Sequence, residues 1–430
     1  MRRIMKNARV RAKCKLYQTL KKHARRPHIS FHTPGHKNPK WDITELSYSD
    51  NLSCPQGVLY EVQKDVAQTL GAYKSFLLTD GSTCGVLSML HEAKALGVKR
   101  ILAREDAHKS LYNGCALLGL ELLLLAKKEQ NGIPAPFKME DITKAEWEKA
   151  DALFLTSPDY YGTVAPLQDI RKACDKDDKM LLIDGAHGGH LHFDRALYAG
   201  EYADLWVDGV HKSLPALTQA AVVSAKTEKF AAALERALDI FRTTSPSYPM
   251  MASIEYAVKY PRNERVENAA KAFATASDRV YFGGDWTKVC TLFGVHAFEA
   301  EKRLEEQGIY AEFCDGNVLC FYLSPAQSVR HIQKLFRLLT RLFKEYPYTP
   351  QKAVERIPAP AILPKNGVEW VDLSESVGRI SASRAGLFPP CTPLVGNGEI
   401  ITKETVDLLK RANNAFGLSD GKIAVYKKED

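Results

Sequence analysis

The sequence lacks paired cysteines and long apolar runs. Its nine cysteines are odd in number and scattered, with no Cys-x-x-Cys pair. This argues against a disulfide framework or a zinc site and is typical of free thiols in a reducing cytoplasm. The longest apolar stretch, 115–126, is interrupted by Glu121; it is too short to span a membrane and indicates a helix end followed by a buried strand. Because the N-terminus also lacks the apolar core of a secretory signal, we expect a cytoplasmic protein with no membrane partner.

Acidic side chains are absent from the first 26 residues, which carry eleven Lys and Arg. Since the whole chain has a net charge of +8, the remainder sums to 8 − 11 = −3. Such a segment could be a nucleic-acid or membrane patch, or a mitochondrial-type presequence. The alternative is an amphipathic first helix whose apolar side is formed by Leu16, Tyr17 and Leu20. We expect the helix, with a solvated basic face and no nucleic-acid partner.

At 430 residues and 45% hydrophobic composition, the chain is long enough for one large domain and one or two smaller ones. Short apolar runs alternate with helical apolar spacing, which predicts a doubly wound, mostly parallel α/β sheet. The predicted strands are 75–78, 100–103, 121–126, 152–156, 180–184, 205–207, 220–225 and 318–323. The predicted helices are 58–70, 86–96, 111–118, 142–149, 167–175, 230–241, 250–260, 329–346 and 403–411, and 368–380 is amphipathic.

The stretch 181–219 places an acid and a lysine after two apolar runs. Asp184 closes the first run and Lys212 follows the second. Because ligands of open α/β sheets bind beyond the carboxyl ends of the strands, both side chains would point into one pocket. The pair suits pyridoxal phosphate (PLP), since a lysine amine can bind the aldehyde covalently and a carboxylate can keep the pyridine nitrogen protonated. The plainer interpretation is a strand-end aspartate in a turn and a surface lysine.

A second cluster lies at the start of a predicted helix. Gly81, Ser82 and Thr83 form a turn that offers backbone N–H groups, two hydroxyls and the helix dipole to a phosphate. Taken alone, such a turn is more often an ordinary helix cap. Together with Asp184 and Lys212, it supplies the third contact that PLP requires.

Further motifs follow in order along nearly the whole chain. They are FHTPGHK at 31–37, DGSTCG at 80–85, AHKS at 107–110, TSPDYYG at 156–162, DGAHGGH at 184–190, HK at 211–212 with TQ at 218–219, SPSY at 245–248, VGRIS at 377–381 and FPPCTP at 388–393. In these motifs the chain resembles the fold-type-I PLP decarboxylases of ornithine, lysine and arginine, in the shorter bacterial form without an N-terminal wing domain. The resemblance implies an α/β fold of the aspartate aminotransferase type with a smaller C-terminal α+β region.

The resemblance also implies which residues perform each task. Lys212 would bind PLP covalently, Asp184 would keep its pyridine nitrogen protonated, and His108 would stack over its ring. His187 would lie beside the ring. The residues implied at the phosphate are Gly81, Ser82, Thr83 and His211. The candidates for contact with substrate or with the partner subunit of a homodimer are His36, Lys37 and Tyr161.

Three histidines near Asp184 leave a metal site open as an alternative. His187, His190 and His192 form a His-x-x-His-x-His pattern, and imidazole is the commonest transition-metal ligand. The spacing indicates no fourth ligand, and the Asp184–Lys212 pair already accounts for the segment. We therefore expect no metal, with His190 and His192 as local turn and strand residues.

The chain departs from the family pattern at three places. Gly209 stands three positions before the lysine, where the family often has a serine that helps to bind phosphate; losing one such hydroxyl costs roughly 1 kcal/mol or more. The segment 381–384, around Ser383, lacks the usual glutamate, and Cys391 replaces a glycine. The missing acid bears on substrate recognition, because a cationic side chain would be bound by carboxylates.

Composition and resemblance together divide the chain into four predicted units. Residues 1–54 would hold the N-terminal helix and an active-site loop, and 55–262 the large PLP-binding domain. Residues 263–350 would form a small α/β domain. Residues 351–430 would form the C-terminal decarboxylase-type domain, entered through a Pro-rich linker.

The activity implied by the resemblance is decarboxylation of arginine, lysine or ornithine to agmatine or a diamine, a reaction of polyamine metabolism. The small-molecule substrate would bind in an active site shared across a dimer. One alternative is another fold-type-I reaction, such as transamination or lyase chemistry. A second is a homologue that keeps the fold without catalysis, against which the intact Lys212, Asp184 and His108 argue.

Overall fold

The computed structural model describes residues 1, 4–37, 40–130, 132–350, 365–387, 392–412 and 414–427. Its α-helices are α1 Ala8–Lys13, α2 Lys15–His23, α3 Val58–Leu70, α4 Gly81–Ala95, α5 Lys109–Leu118, α6 Lys144–Lys149, α7 Leu167–Lys176, α8 Ala199–Tyr202, α9 Val210–Ser213, α10 Glu228–Phe241, α11 Tyr248–Val258, α12 Glu264–Thr275, α13 Ala297–Glu305, α14 Val329–Glu345 and α15 Lys403–Arg411. None of these helices is long and apolar enough to cross a membrane.

The strands of the described ranges form one large sheet and several smaller ones. They are β1 Lys74–Leu78, β2 Arg100–Arg104, β3 Glu121–Leu125, β4 Glu129–Gln130, β5 Ile133–Pro134, β6 Ala152–Thr156, β7 Met180–Gly185, β8 Leu205–Asp208, β9 Ala221–Ala225, β10 Val280–Tyr281, β11 Lys288–Leu292, β12 Phe313–Cys314, β13 Val318–Tyr322, β14 Val368–Asp372, β15 Ala385–Leu387, β16 Thr392–Val395, β17 Ala415–Phe416, β18 Leu418–Ser419 and β19 Lys422–Tyr426.

The central sheet has seven strands in the order β1-β9-β8-β7-β6-β2-β3. Only β9 in this sheet runs against its neighbours, pairing antiparallel with β1 and with β8. Its inner strands are apolar at successive positions because helices cover both faces. In β7, Leu181 and Ile183 pack into the core on one face and Leu182 into the core on the other. The predicted doubly wound, mostly parallel α/β sheet is therefore confirmed.

Most predicted elements are present, with ends that differ by a few residues. Helices α3 and α15 have the predicted bounds. Helix α4 begins at Gly81, five residues before the predicted start at Val86, because the Gly-Ser-Thr turn is itself the first turn of the helix. The amphipathic stretch 368–380 opens with β14, which pairs with β19.

The N-terminal segment differs from the prediction, because two short helices replace the single amphipathic helix. Cys14 between them is extended, with φ −89° and ψ 110°. The carboxylate of Glu255 in α11 accepts the backbone N–H groups of Lys15 and Leu16 at 2.7 and 3.0 Å. This long-range cap satisfies the start of α2 and holds it against α11. The residues predicted for the apolar side are buried: Leu16, Tyr17 and Leu20.

A second, antiparallel sheet with strand order β10-β11-β13-β12 stands beside the central one. Helices α12, α13 and α14 cover one of its faces. Its other face packs against Tyr160 and Tyr161, in the loop after β6. Farther along the chain, β14-β19-β18 and β16-β15-β17 share a core with α15. The small sheet thus forms a wall over the carboxyl ends of the central strands, while the boundaries of the four units stay a prediction.

Candidate active site

Five parallel strands end at one edge of the central sheet, and each leads into a loop with predicted site residues. Strand β1 leads into the start of α4 and β2 into the loop before α5, while β6, β7 and β8 lead into three short turns. The register pairs Thr156 with Asp184, and Gly185 with Asp208, so the three central strands end level. These loops therefore meet over one small area of the sheet edge, the usual ligand position in such folds.

Lys212 lies at the centre of these loops, in the short helix α9. Its Nζ is 3.0 Å from His187 Nε2 and 6.0 Å from the centre of the Tyr160 ring. Burial lowers the pKa of Lys212, an effect that the charge of Asp184 opposes. A lowered pKa makes the neutral amine, which is the nucleophilic form, more accessible near pH 7.

His187 is held edge-on between two tyrosine rings. Its ring centre lies 4.8 Å from that of Tyr160 and 5.4 Å from that of Tyr322. Burial, and then the positive charges of Lys212 and Lys288, lower the pKa of His187 well below its ordinary value. The imidazole is therefore neutral at pH 7. Its Nδ1 is buried and has no hydrogen-bond partner in the described part of the chain, which indicates that a ligand group completes the site.

Asp184 ends β7 at the predicted position and is buried. Its Oδ1 accepts the backbone N–H of Ala186 at 3.1 Å. Burial raises the pKa of this carboxyl group, and the charge of Lys212 lowers it in part. Among the described residues Asp184 forms no direct ion pair, so its charge is available to a positive group on a ligand.

His108 precedes α5 and caps it. Its Nδ1 accepts the backbone N–H of Ser110 at 3.2 Å and lies 2.8 Å from the Ser110 hydroxyl. Burial, and then the charge of Lys212, lower the pKa of His108 to about 3. Two neutral histidines, His108 and His187, thus both lie within the field of one lysine, so the structure brings these three predicted residues together.

The predicted phosphate contacts lie in the first turn of α4. Gly81 adopts φ 75°, and no atom lies within 4 Å of the position that a Cβ would take. The hydroxyls of Ser82 and Thr83 form no hydrogen bond within the described ranges. Unpaired N–H groups and hydroxyls beside open space suit an anion. His211 is fixed separately, with its Nδ1 2.9 Å from the carbonyl oxygen of Ala220.

Tyr161 does not face Lys212. Its hydroxyl donates to Asp315 at 2.7 Å, and its ring packs edge-on against Phe313 in the small sheet. The neighbouring Tyr160 is the tyrosine that faces Lys212. The hydrogen bond to Asp315 turns the Tyr161 ring toward the small sheet, and a contact of Tyr161 with substrate or with a partner subunit stays a prediction.

His36 and Lys37 lie in an exposed loop and contact other residues of that loop. His36 Nε2 is 3.1 Å from Asp42, and Lys37 Nζ donates to the carbonyl oxygen of His32 at 2.8 Å. The structure of one chain does not bring either side chain to Lys212. A contact with a partner subunit stays a prediction for both.

A buried ionic network supports the site and is a feature that sequence reasoning missed. Asp285 accepts from His190 Nε2 at 2.8 Å and from Lys288 Nζ at 3.1 Å, and all three side chains are fully buried. Lys288 Nζ also lies 4.4 Å from the centre of the Tyr322 ring and 3.4 Å from the carbonyl oxygen of His187. The network ties the turn after β7 to the small sheet. No sequence signal links residues about one hundred positions apart, so His190 was predicted only as a local turn residue.

The three histidines considered as metal ligands have separate environments. His190 pairs with Asp285, whereas His192 Nδ1 lies 2.7 Å from the carbonyl oxygen of Gly189. In the described ranges, no three His, Cys, Asp or Glu side chains are grouped so that they could hold a metal ion.

Close packing explains why residue 209 is a glycine. A Cβ at this position would lie 2.6 Å from the carbonyl oxygen of Ala186, a distance at which the backbone would have to move. The turn after β7 therefore approaches residue 209 so closely that serine does not fit.

The other two departures fall in the C-terminal part. The guanidinium of Arg384 donates to Asn113 at 2.7 Å, and its charge contributes to the lowered pKa of His108. A cation thus stands near the site, next to Ser383, where the family usually has an acid. Cys391 lies outside the described residues, as does the Phe388-Pro-Pro motif.

Taken together, these residues fit PLP. Lys212 has a lowered pKa, Asp184 is buried without an ion pair, and the start of α4 offers unpaired donors. Each of the three suits a different end of the cofactor: the aldehyde, the ring nitrogen and the phosphate.

Comparison with known proteins agrees with this arrangement. The family described as "Orn/Lys/Arg decarboxylase, major domain" matches residues 39–277, and "Orn/Lys/Arg decarboxylase, C-terminal domain" matches residues 333–417. An arginine decarboxylase of Bacillus subtilis (strain 168) is 28% identical, with 92% of each chain covered.

Solved structures agree on the fold. Lysine decarboxylase A from Pseudomonas aeruginosa superposes with a TM-score of 0.76 at 17% identity, covering 96% of this chain and 80% of that one. A serine palmitoyltransferase (SPT) solved with PLP superposes with a TM-score of 0.55 at 15% identity, covering 78% of this chain and 85% of that one. The fold is therefore that of the fold-type-I PLP enzymes.

Proposed function

The chain belongs to the Orn/Lys/Arg decarboxylase family, and on this premise we propose that it is a PLP-dependent decarboxylase whose substrate is arginine. PLP-dependent decarboxylation of a basic amino acid follows from the family itself. Arginine is favoured among the basic amino acids because a relative named arginine decarboxylase aligns with 92% of both chains. The product would then be agmatine, and its place would be in polyamine metabolism.

One observation carries this proposal. A lysine whose pKa is lowered by burial lies where three loops of one sheet edge meet, within the field of a buried carboxylate and beside two neutral histidines. A surface lysine, the plainer interpretation of the sequence, would be solvated and would keep an ordinary pKa.

When bound, PLP supplies an electron-accepting ring that stabilises the charge left at the α-carbon as carbon dioxide departs. Lys212 would hold its aldehyde, and Asp184 would accept a hydrogen bond from its ring nitrogen and keep a proton there. His108, being neutral, would cover the ring face without adding charge. The residues that would hold the phosphate are Gly81, Ser82, Thr83 and His211.

The neutral histidine beside the lysine has a further consequence. His187 Nε2 lies 3.0 Å from Lys212 Nζ, and the two groups can share one proton. His187 is buried, and two tyrosine rings pack against its imidazole. Protonation of the α-carbon after loss of carbon dioxide would then use a proton held by these two residues rather than one taken from solvent.

A homodimer in the cytoplasm completes the proposal. The loop with His36 and Lys37 is exposed in one chain, where His36 contacts Asp42 and Lys37 donates to the carbonyl oxygen of His32. The same loop carries exposed apolar side chains, which a partner subunit would cover. His36 and Lys37 would then reach the partner's active site.

The test is carbon dioxide release from purified protein with added PLP, compared across arginine, lysine and ornithine. The visible absorbance of lysine-bound PLP is recorded in the same samples. Lys212→Ala is expected to abolish both signals. Lys302→Ala, at an exposed position of α13, is the matched control and is expected to leave both unchanged.

The outcomes separate the alternatives. Release of carbon dioxide from arginine by the wild-type protein, but not by Lys212→Ala, supports the proposal. Faster release from lysine or ornithine would mean that this amino acid, rather than arginine, is the substrate. A PLP band without release favours transamination or lyase chemistry. Neither band nor release would mean that the fold has lost its catalysis.

A further inference from the structure

A cationic substrate would enter a site that is already rich in positive charge. Lys212 and Lys288 both act on His187, and Arg384 acts on His108. The C-terminal segment 381–384, which contains Arg384, has no acid. Because guanidinium and ammonium groups are bound by carboxylates, an acid from another part of the chain is required.

Glu312 is such an acid on the wall formed by the small sheet. It lies directly before β12, and its backbone N–H donates to the carbonyl oxygen of Cys320 at 2.8 Å, which fixes it beside β13. Its charge acts on Cys320, on Tyr322 and on Lys212. The next residue, Phe313, pairs with Cys320 of β13, and Tyr322 of the same strand packs edge-on against His187 at 5.4 Å. Glu312 therefore belongs to the part of the small sheet that borders the site.

Glu312 is also the acid that remains available to a substrate. Two carboxylates act on Lys212, namely Asp184 and Glu312, and Asp184 would face the ring nitrogen of PLP. Lys288 is already paired with Asp285 at 3.1 Å. Among the described residues the Glu312 carboxylate has no direct ion pair or hydrogen bond, and Lys212, the cation that acts on it together with Lys288, would be bound to PLP in the loaded enzyme.

We propose that Glu312 recognises the cationic end of the substrate side chain, in place of the C-terminal glutamate of the family pattern. This inference rests on the proposed decarboxylation of a basic amino acid. It explains how the chain can bind a basic substrate although the segment around Ser383 supplies a cation, Arg384, and no acid. Recognition of the charge moves from the C-terminal segment to the small sheet.

The experiment compares arginine with citrulline, which has nearly the same shape but an uncharged ureido group. Glu312→Gln removes the charge with almost no change of volume. Glu305→Gln, at an exposed position of α13 in the same part of the chain, is the matched control. Glu312→Asp keeps the charge, and a circular dichroism spectrum of each PLP-loaded variant checks folding.

Glu312→Gln is expected to lower kcat/KM for arginine roughly 10- to 100-fold, the usual worth of a hydrogen bond to a charged group, and to change that for citrulline much less. Glu312→Asp should retain most of the preference for arginine. An equal loss for both substrates, or no loss for arginine, would overturn the inference.

A binding measurement separates failure of this inference from failure of the proposed function. Calorimetric titration of the PLP-loaded protein with agmatine, and with N-carbamoylputrescine, in which an uncharged ureido group replaces the guanidinium, needs no turnover. If the wild-type protein releases no carbon dioxide from any basic amino acid, the proposed function is wrong, yet a selective loss of agmatine affinity in Glu312→Gln would still support charge recognition. If the wild-type protein binds the two amines equally, the inference about Glu312 is wrong.

Discussion

At the scale of single residues, burial and a few neighbouring charges set the chemistry of the site. Burial lowers the pKa of Lys212 and of His108, and it raises that of Asp184. Each of these shifts favours the neutral form of its group, because burial disfavours charge. The network of His190, Lys288 and Asp285 is of a different kind, because these buried polar groups lie within hydrogen-bond distance of one another.

Asp285→Asn is expected to lower the free energy of unfolding by about 3–5 kcal/mol at pH 7, since it leaves the buried Lys288 without its partner. His190 and Lys288 hold the pKa of Asp285 well below its ordinary value. A depressed carboxyl pKa contributes stability that is present above the unfolded pKa and lost as the pH falls through the folded pKa. The difference in unfolding free energy between the wild type and the variant should therefore be largest at pH 7 and become smaller below about pH 4.

Guanidinium unfolding followed by circular dichroism, at pH 7 and again below about pH 4, measures the difference in unfolding free energy between the wild type and Asp285→Asn. Asp278→Asn, at an exposed position near Asp285, serves as control and should change stability by less than about 0.5 kcal/mol. A loss below about 1 kcal/mol for Asp285→Asn would show that the pair contributes little in solution.

At the scale of elements, the turn after β7 and the start of α9 are packed against each other without room for a side chain. Gly209→Ser is expected to destabilise the protein by about 1–3 kcal/mol, because its Cβ would lie 2.6 Å from the Ala186 carbonyl oxygen. The displaced α9 carries Lys212, so PLP should also be released faster. The melting temperature and the decay of the PLP absorbance measure the two effects.

Gly189→Ser is the matched control for this prediction. A Cβ at 189 would lie 3.5 Å from Val210 Cγ1, an ordinary contact, so a smaller effect is expected. If Gly209→Ser instead slows PLP release without loss of stability, the serine restores the phosphate contact of the family pattern and the packing argument fails.

Helices and strands could be predicted from the sequence wherever a local pattern of apolar residues is enough to define them. Helix α3 and strand β7 follow from apolar spacing alone, and Asp184 follows from its place at a strand end. The break at Cys14 could not be predicted, because its cap is Glu255, some 240 positions away. Glu312 and Lys288 reach the site only through the packing of the small sheet, which no local pattern encodes. The hydrogen bond between Tyr161 and Asp315 could not be predicted either, because it is also long-range.

At the scale of the whole molecule, the loop before α3 carries the most exposed large apolar side chains of the described residues. Ile29 and Phe31 are 88% and 94% exposed, close to His36 and Lys37 in sequence. Apolar side chains so fully exposed are typical of an interface. The proposed homodimer would bury them.

Phe31→Ser is expected to shift the protein from dimer toward monomer, because it removes an apolar anchor from the interface. Light scattering coupled to size-exclusion chromatography, at several protein concentrations, measures the mass. Ile240→Ser, at a 62% exposed position of α10, is the control and should leave the mass unchanged. A wild-type protein with the mass of one chain at every concentration would contradict the dimer.

The place of β1 at the end of the central sheet has a consequence for synthesis on the ribosome. Strand β1 pairs with β9 alone, and Lys74 and Ala221 are 147 positions apart in the chain. At about 5–20 residues per second, the apolar β1 waits roughly 7–30 seconds for its partner to be made. During that time the nascent chain presents an unpaired strand, which is the kind of segment that chaperones bind. Until β9 is made, β1 is therefore a segment at which the nascent chain is prone to aggregate.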